Sequence, residues 1–196
     1  MCRCGKRARR LGLVLVALLG LVAAFGLVAT GGLWAQSPKY GLGRAPSPEE
    51  IRQWDSSVAP DGAGLPEGSG TAAQGREVYT NRCSKCHGAQ GQGGDSVALA
   101  GGQGTLQSAK PVRTVGSYWP HATTLWDYLN RAMPFKNPGV LSRDQVYAVT
   151  AYVLFLNGIV AENAVMDAKS LPKVQMPNRN GFVADPRPDV GKRPMR

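Results

Sequence analysis

The stretch NRCSKCHGAQ, residues 81–90, sets Cys83 and Cys86 two residues apart and places His87 directly after the second. Three chemistries use this order. A redox dithiol carries its Cys-x-x-Cys after a strand of a βαβ unit. A structural zinc site needs about four ligands and usually pairs two such clusters. A covalent c-type haem anchor uses Cys-x-x-Cys-His. The surroundings weigh on the choice. No strand pattern precedes the motif, which falls at the end of a predicted helix. Outside the N-terminal leader the chain has no third cysteine and one further histidine, His121. The haem reading fits the spacing: two intervening residues let both sulfurs reach the vinyl groups on one porphyrin edge, and the adjacent imidazole then lies over the iron. Zinc and dithiol chemistry remain the alternatives.

The leader changes the cysteine count. MCRCGKRARR holds five Lys or Arg and no acid, and residues 11–36 are uncharged, apolar as far as Ala29. A basic head, an apolar run and GGLWAQS read as a secretory signal over residues 1–35, cleaved after Ala35. Leu33 stands where a small residue is preferred, and about 20 apolar residues can span a bilayer, so an uncleaved anchor is the alternative. Either way the rest of the chain is exported, because the positive head stays in the cytoplasm. Periplasm is the expected compartment, with membrane attachment only if the leader is retained. Cys2 and Cys4 go with the leader. The 23 Lys and Arg exceed the 13 Asp and Glu by 10, and without the leader's five cations the excess falls to 5. That is a mildly basic surface, suited to an acidic partner. Scattered cations in an exported chain do not point to nucleic acid.

Residues 36–70 are rich in Pro, Gly and Ser and read as an extended N-terminal arm, with one short helix at SPEEI capped by Ser47. Residues 71–160 read as a helical core. Helix one starts at Thr71, with Gln74 completing a capping box, and runs to about Cys86. Gly75, Tyr79 and Cys83 share one face of it, and the glycine admits a second helix closely. Residues 88–120 form a Gly-rich loop too long for a plain connection. Helix two covers Thr123 to Ala132. Helix three begins at Ser142, with Gln145 three residues on, and ends at Asn157 before Gly158. It is apolar nearly all round, so most of its sides are expected to be covered. Tyr152 on it is the natural aromatic partner for helix one. Residues 161–196 read as an extended, Pro-punctuated tail.

A haem iron needs a sixth ligand. Met133 ends helix two and precedes Pro134, which turns it toward extended backbone and off the helix end. A Met/His pair is the pattern of electron-carrier cytochromes. Met176 in QMPN is the second choice, and His121 a third. The alternative for Met133 is a core methionine filling a gap. Trp119, Tyr118 and Arg113, late in the loop, are candidates for haem propionate contacts, with core packing as the alternative.

Together these features resemble class I cytochrome c: Gly75 and Tyr79 before Cys83-Ser-Lys-Cys86-His87, a distal Met133, and a closing helix with Tyr152. The resemblance covers about residues 71–158. It implies an all-α, class I cytochrome c-like fold of three to four helices with extended arms, and one covalently bound haem c. YGLGRAPSPEEIRQWDSSVAPDGAGLPEGSG, LAGGQGTLQSAKPVRTVGSYWPHATTLWDYLNRAMPF, QVYAVTAYVLFLN and MPNRNGFVADPRP are similar to the cytochrome subunit of sulfane dehydrogenase in the Sox sulfur-oxidation system, and to subunits of related molybdenum sulfite dehydrogenases. That resemblance implies an electron-transfer subunit, not an enzyme on its own. It would take electrons from a molybdopterin subunit that oxidises sulfane or sulfite, and pass them to a downstream cytochrome c or oxidase. The arms would wrap that partner, which would account for the apolar third helix. Some members of that family carry two haem domains, whereas this chain has a single Cys-x-x-Cys-His. The rivals are a freely diffusing carrier whose arms pack on their own core, and a catalytic haem protein with an open iron.

Overall fold

The structure, a computed structural model, describes residues 40–187. The expected leader, 1–35, and residues 188–196 of the tail lie outside the described residues. Residues 40–45 are exposed coil, and the chain from Pro46 onward forms a separate compact unit.

Three helices of that unit begin with the same device. In α1 (Pro48–Trp54), α2 (Ala72–Arg82) and the later α5 (Arg143–Leu156), a Ser or Thr N-cap takes the N3 backbone N–H while the N3 Glu or Gln side chain takes the N-cap N–H. Two orphan donors of the first turn are thereby satisfied. Between α2 and α5 lie the single turn α3 (Ser84–His87) and the helix α4 (Ala122–Ala132). Helix one of the sequence reading does not run unbroken to Cys86. It ends at Arg82, Cys83 leaves helical geometry at φ −123° and ψ −39°, and α3 starts afresh.

Helices α2 and α5 cross at a glycine. A Cβ on Gly75 would sit 1.9 Å from the Ala148 carbonyl oxygen and 2.9 Å from Tyr152 Cβ, so the backbones touch where no side chain fits. One turn on, the rings of Tyr79 and Tyr152 meet at 5.1 Å between centroids. On the other flank α4 contributes Leu125, Trp126 and Leu129 to the shared core, with Trp126 5.3 Å from the Tyr147 ring.

The all-α expectation needs one amendment. β1 (Ser69–Thr71) pairs antiparallel with β2 (Val165–Asp167), Gly70 opposite Met166. This small ladder lies over α5, where a Cβ on Gly70 would meet Ala148 at 2.5 Å. It ties the segment before α2 to the segment after α5.

Parts of both arms pack on the helices. The strands β1 and β2 lie against α5, and the 3-10 turn Leu171–Lys173 lies against α4, with Leu171, Val174 and Met176 buried in the core. On the N-terminal side the Tyr147 hydroxyl donates to the Pro66 carbonyl at 2.8 Å, and the Ser69 N–H donates to Asp144 Oδ1 at 2.8 Å. Residues 58–71 and 165–178 are therefore tied into the packed unit, with several of their side chains left exposed. The exposed remainder of the arms includes α1, which buries no residue, and the stretch 180–187.

Two outcomes follow from the crossing and its cover. Gly75→Ala should destabilise the protein by about 3 kcal/mol or more, read as a lower denaturant midpoint, because overpacking a close contact costs about 1–3 kcal/mol even where neighbours can shift. Burial first, then Asp167, push the Tyr147 hydroxyl up to about 12. An unfolded tyrosine titrates near 10, so between these values the native state holds a proton that the unfolded chain releases. This contribution to stability is complete below about pH 10 and disappears as pH rises toward 12. Denaturant unfolding at stepped alkaline pH should show the decline, and Tyr147→Phe should flatten part of it.

Candidate haem site

The Cys-x-x-Cys-His motif is held by the end of α2. The Cys83 N–H donates to the Tyr79 carbonyl at 2.8 Å, and the N–H groups of Cys86 and His87 both donate to the Cys83 carbonyl, at 3.1 and 3.0 Å. The turn is closed by Gly88 at φ 81°, a left-handed conformation that glycine adopts without strain. The Tyr79 hydroxyl, buried beside Tyr152, donates to the Gly88 carbonyl at 2.8 Å and so pins the motif's far end to the helix that precedes it.

Cys83 is half-buried, Cys86 is exposed, and both are free thiols. Burial, followed by the neighbouring Cys86, pushes the Cys83 thiol up to about 11. Reactive dithiols have the opposite property, a lowered pKa that supplies thiolate. Among the described residues no three or more His, Cys, Asp or Glu side chains gather as a zinc site would need.

His87 is oriented from behind. Its Nδ1 lies 2.8 Å from the Val97 carbonyl oxygen. A carbonyl only accepts, so Nδ1 is the donor of this bond and Nε2 is the nitrogen left for a metal. A backbone acceptor behind the ring fixes its tautomer and its plane. The loop that supplies Val97 is itself anchored on the end of α5. The Asn157 carboxamide donates to the Leu99 carbonyl at 3.0 Å and accepts from the Gly101 N–H at 3.1 Å. Gly116 lies so close to this side chain that a Cβ would meet its oxygen at 2.1 Å. The sequence reading missed Asn157 except as a helix end. An Asn before a helix-stopping Gly was the available signal.

The other predicted residues fall as follows. Met133 is the C-cap of α4, extended at φ −122° and ψ 149° as the following proline dictates, and half-buried against the core. Met176 is enclosed in the core at 3% exposure. His121 is the N-cap of α4 without a capping bond. Its Nδ1 is buried and lacks a hydrogen-bond partner among the described residues, and burial, then Arg179, lower its pKa. Arg113 and Tyr118 come together, the guanidinium 5.4 Å above the ring, whose other neighbour is Phe182 at 5.2 Å. Trp119 instead meets Tyr128 edge-on at 5.9 Å. The indole N–H of Trp126, at 1% exposure, likewise lacks a hydrogen-bond partner among the described residues.

The donor set is thus two free thiols ahead of an imidazole that is hydrogen-bonded from behind through Nδ1, with a thioether on the end of a separate helix. These residues fit a c-type haem. Over residues 70–153 the chain matches the family described as cytochrome c oxidase, cbb3-type, subunit III. It is 37% identical over 103 residues to the cbb3-type cytochrome c oxidase subunit CcoP of Azospirillum sp. (strain B510), a match covering 46% of this chain and 32% of that protein. The chain therefore spans about a third of the length of that curated relative. A chain of the crystal structure of the sulfane dehydrogenase SoxCD from Paracoccus pantotrophus matches with a TM-score of 0.71 at 43% identity, covering 80% of each chain. The chain belongs to the cytochrome c family. Within that class it is similar to a chain of a sulfane dehydrogenase, and the likeness extends beyond the span matched by the family.

Proposed function

We propose that this is a periplasmic cytochrome with one haem c, which accepts electrons from a molybdenum subunit oxidising sulfane or sulfite and delivers them to a downstream cytochrome or oxidase. The observation that carries the partner is the 43% identity to the SoxCD chain across 80% of this chain. Haem iron, when bound, supplies one-electron transfer; the protein supplies orientation and environment. Cys83 and Cys86 would form the thioether links, and His87 through Nε2 and Met133 through its sulfur would hold the iron. The extended backbone and half-buried side chain of Met133 support this choice over Met176, which is closed in by protein. Arg113, Tyr118 and Trp119 are the proposed propionate contacts, though only the first two share a cluster. Export rests on the basic, apolar leader. Among the described residues no helix is long and apolar enough to cross a membrane.

The packing of residues 58–71 and 165–178 on the chain's own core favours a second reading, a carrier that diffuses alone. Size-exclusion of the native protein separates the two: co-elution with a molybdopterin subunit is expected, and a lone monomer supports the rival. Acidified organic solvent should leave the pigment on the protein, and extracted pigment would remove the covalent assignment. The oxidised protein should show the sulfur-to-iron charge-transfer band. Met133→Ala should abolish it; survival of the band there, with loss in Met176→Ala, would move the ligand to Met176.

A further inference from the structure

Helix α4 ends at Met133, and its two sides are held by different means. Leu125, Trp126 and Leu129 pack into the apolar core. Thr123, Asp127 and Arg131 recur at four-residue intervals and share another face. On that face the Thr123 hydroxyl donates to the Pro60 carbonyl at 3.2 Å. Asp127, at 8% exposure, accepts at Oδ1 from the Val58 N–H at 3.3 Å and from Arg131 Nε at 2.9 Å, and at Oδ2 from Arg131 Nη2 at 2.5 Å. A carboxylate this deep is costly unless it is paired and hydrogen-bonded, and here three donors meet it.

The order of these contacts has a direction. Pro60 lies beside Thr123 and Val58 beside Asp127, so the arm runs antiparallel to α4 and reaches as far as Asp127 on the side toward Met133. The end that carries Met133 is weakly tied by the helix itself. The Met133 N–H reaches the Leu129 carbonyl at 3.3 Å, and Pro134 has no N–H to add. The Asp127–Arg131 fork spans this last turn, and Asp127 joins it to the arm.

We propose that Asp127 is a positioning residue for the axial methionine: by clamping Arg131 and the Val58 N–H, it fixes where Met133 presents its sulfur. The inference rests on the reading of Met133 as the iron's ligand. No core-packing role calls for a charged group at this place, where an apolar side chain would serve.

The test is titration of the oxidised holoprotein with imidazole, followed by loss of the sulfur-to-iron band. Added imidazole binds when the sulfur has left, so its apparent affinity reports the fraction of molecules with Met133 released. Asp127→Ala should bind imidazole about tenfold more tightly than the wild type, the fraction released having risen by that factor. Asp127→Asn keeps an acceptor for Val58 but loses the charge facing Arg131, and should fall between. Tyr147→Phe loses a hydrogen bond between the arm and α5, away from Met133, and should leave imidazole affinity unchanged. Wild-type affinity in Asp127→Ala, with the band absent from Met133→Ala, overturns the inference and leaves the ligand reading standing. A band that persists in Met133→Ala removes both. An equal gain in Tyr147→Phe also overturns it, because Asp127 would then act through general stability. If Asp127→Ala does not accumulate as folded protein, wild-type affinity in Asp127→Asn overturns the inference.

Discussion

Helices α2 and α5 approach until their backbones touch, and the rest of the molecule is arranged around that contact. Gly75 leaves no room for a Cβ against the Ala148 carbonyl, and a Cβ on Gly70, just before α2, would meet the same residue at 2.5 Å. Glycine costs a helix about 1 kcal/mol relative to alanine, so its presence inside α2 is explained by the neighbour it admits. With the crossing fixed, Tyr79 and Tyr152 must meet one turn later, and the Tyr79 hydroxyl is carried to the Gly88 carbonyl. The position of Cys83, Cys86 and His87 relative to α5 is thus a consequence of one helix crossing and one tyrosine.

The second half of the site is built from the residue that ends α5. Asn157 holds the loop that offers the Val97 carbonyl to His87, while the same helix packs against α4, which ends at Met133. Both proposed axial ligands are therefore referred to a single rigid element. That arrangement suits a carrier, whose protein must hold cofactor and ligands in place while the charge on the iron changes.

The parts of this architecture legible in the sequence are those set by local chemistry. Three capping boxes appear as Ser or Thr followed three residues later by Glu or Gln, and each marks an observed helix start. Pro134 announces the extended backbone of Met133, and the spacing of Gly75 and Tyr79 announces the crossing. What was not legible depends on contacts between distant residues. Strands of three residues, Ser69–Thr71 and Val165–Asp167, are too short to show an alternating pattern, and they exist because each finds the other. The break at Cys83 is invisible because Arg82, Cys83 and Ser84 carry no strong helix-stopping signal. The apolar surround of α5 was legible as burial, but its cover by the β1–β2 ladder was not, nor was the burial of Leu171, Val174 and Met176 in a tail whose prolines suggest only extension. Asp127 reads as an ordinary polar residue of an amphipathic helix until Val58 arrives from 69 residues away.

Helix α1 is wound by its capping box although none of its residues is buried, and it holds Trp54 86% exposed, with Ile51 on the same side one turn earlier. Ordering a backbone costs about 1–2 kcal/mol per residue, and here that cost is met before any encounter. A groove that receives these two side chains meets a preformed helix, so it need not supply the free energy of winding seven residues, and more of the interaction free energy appears as affinity.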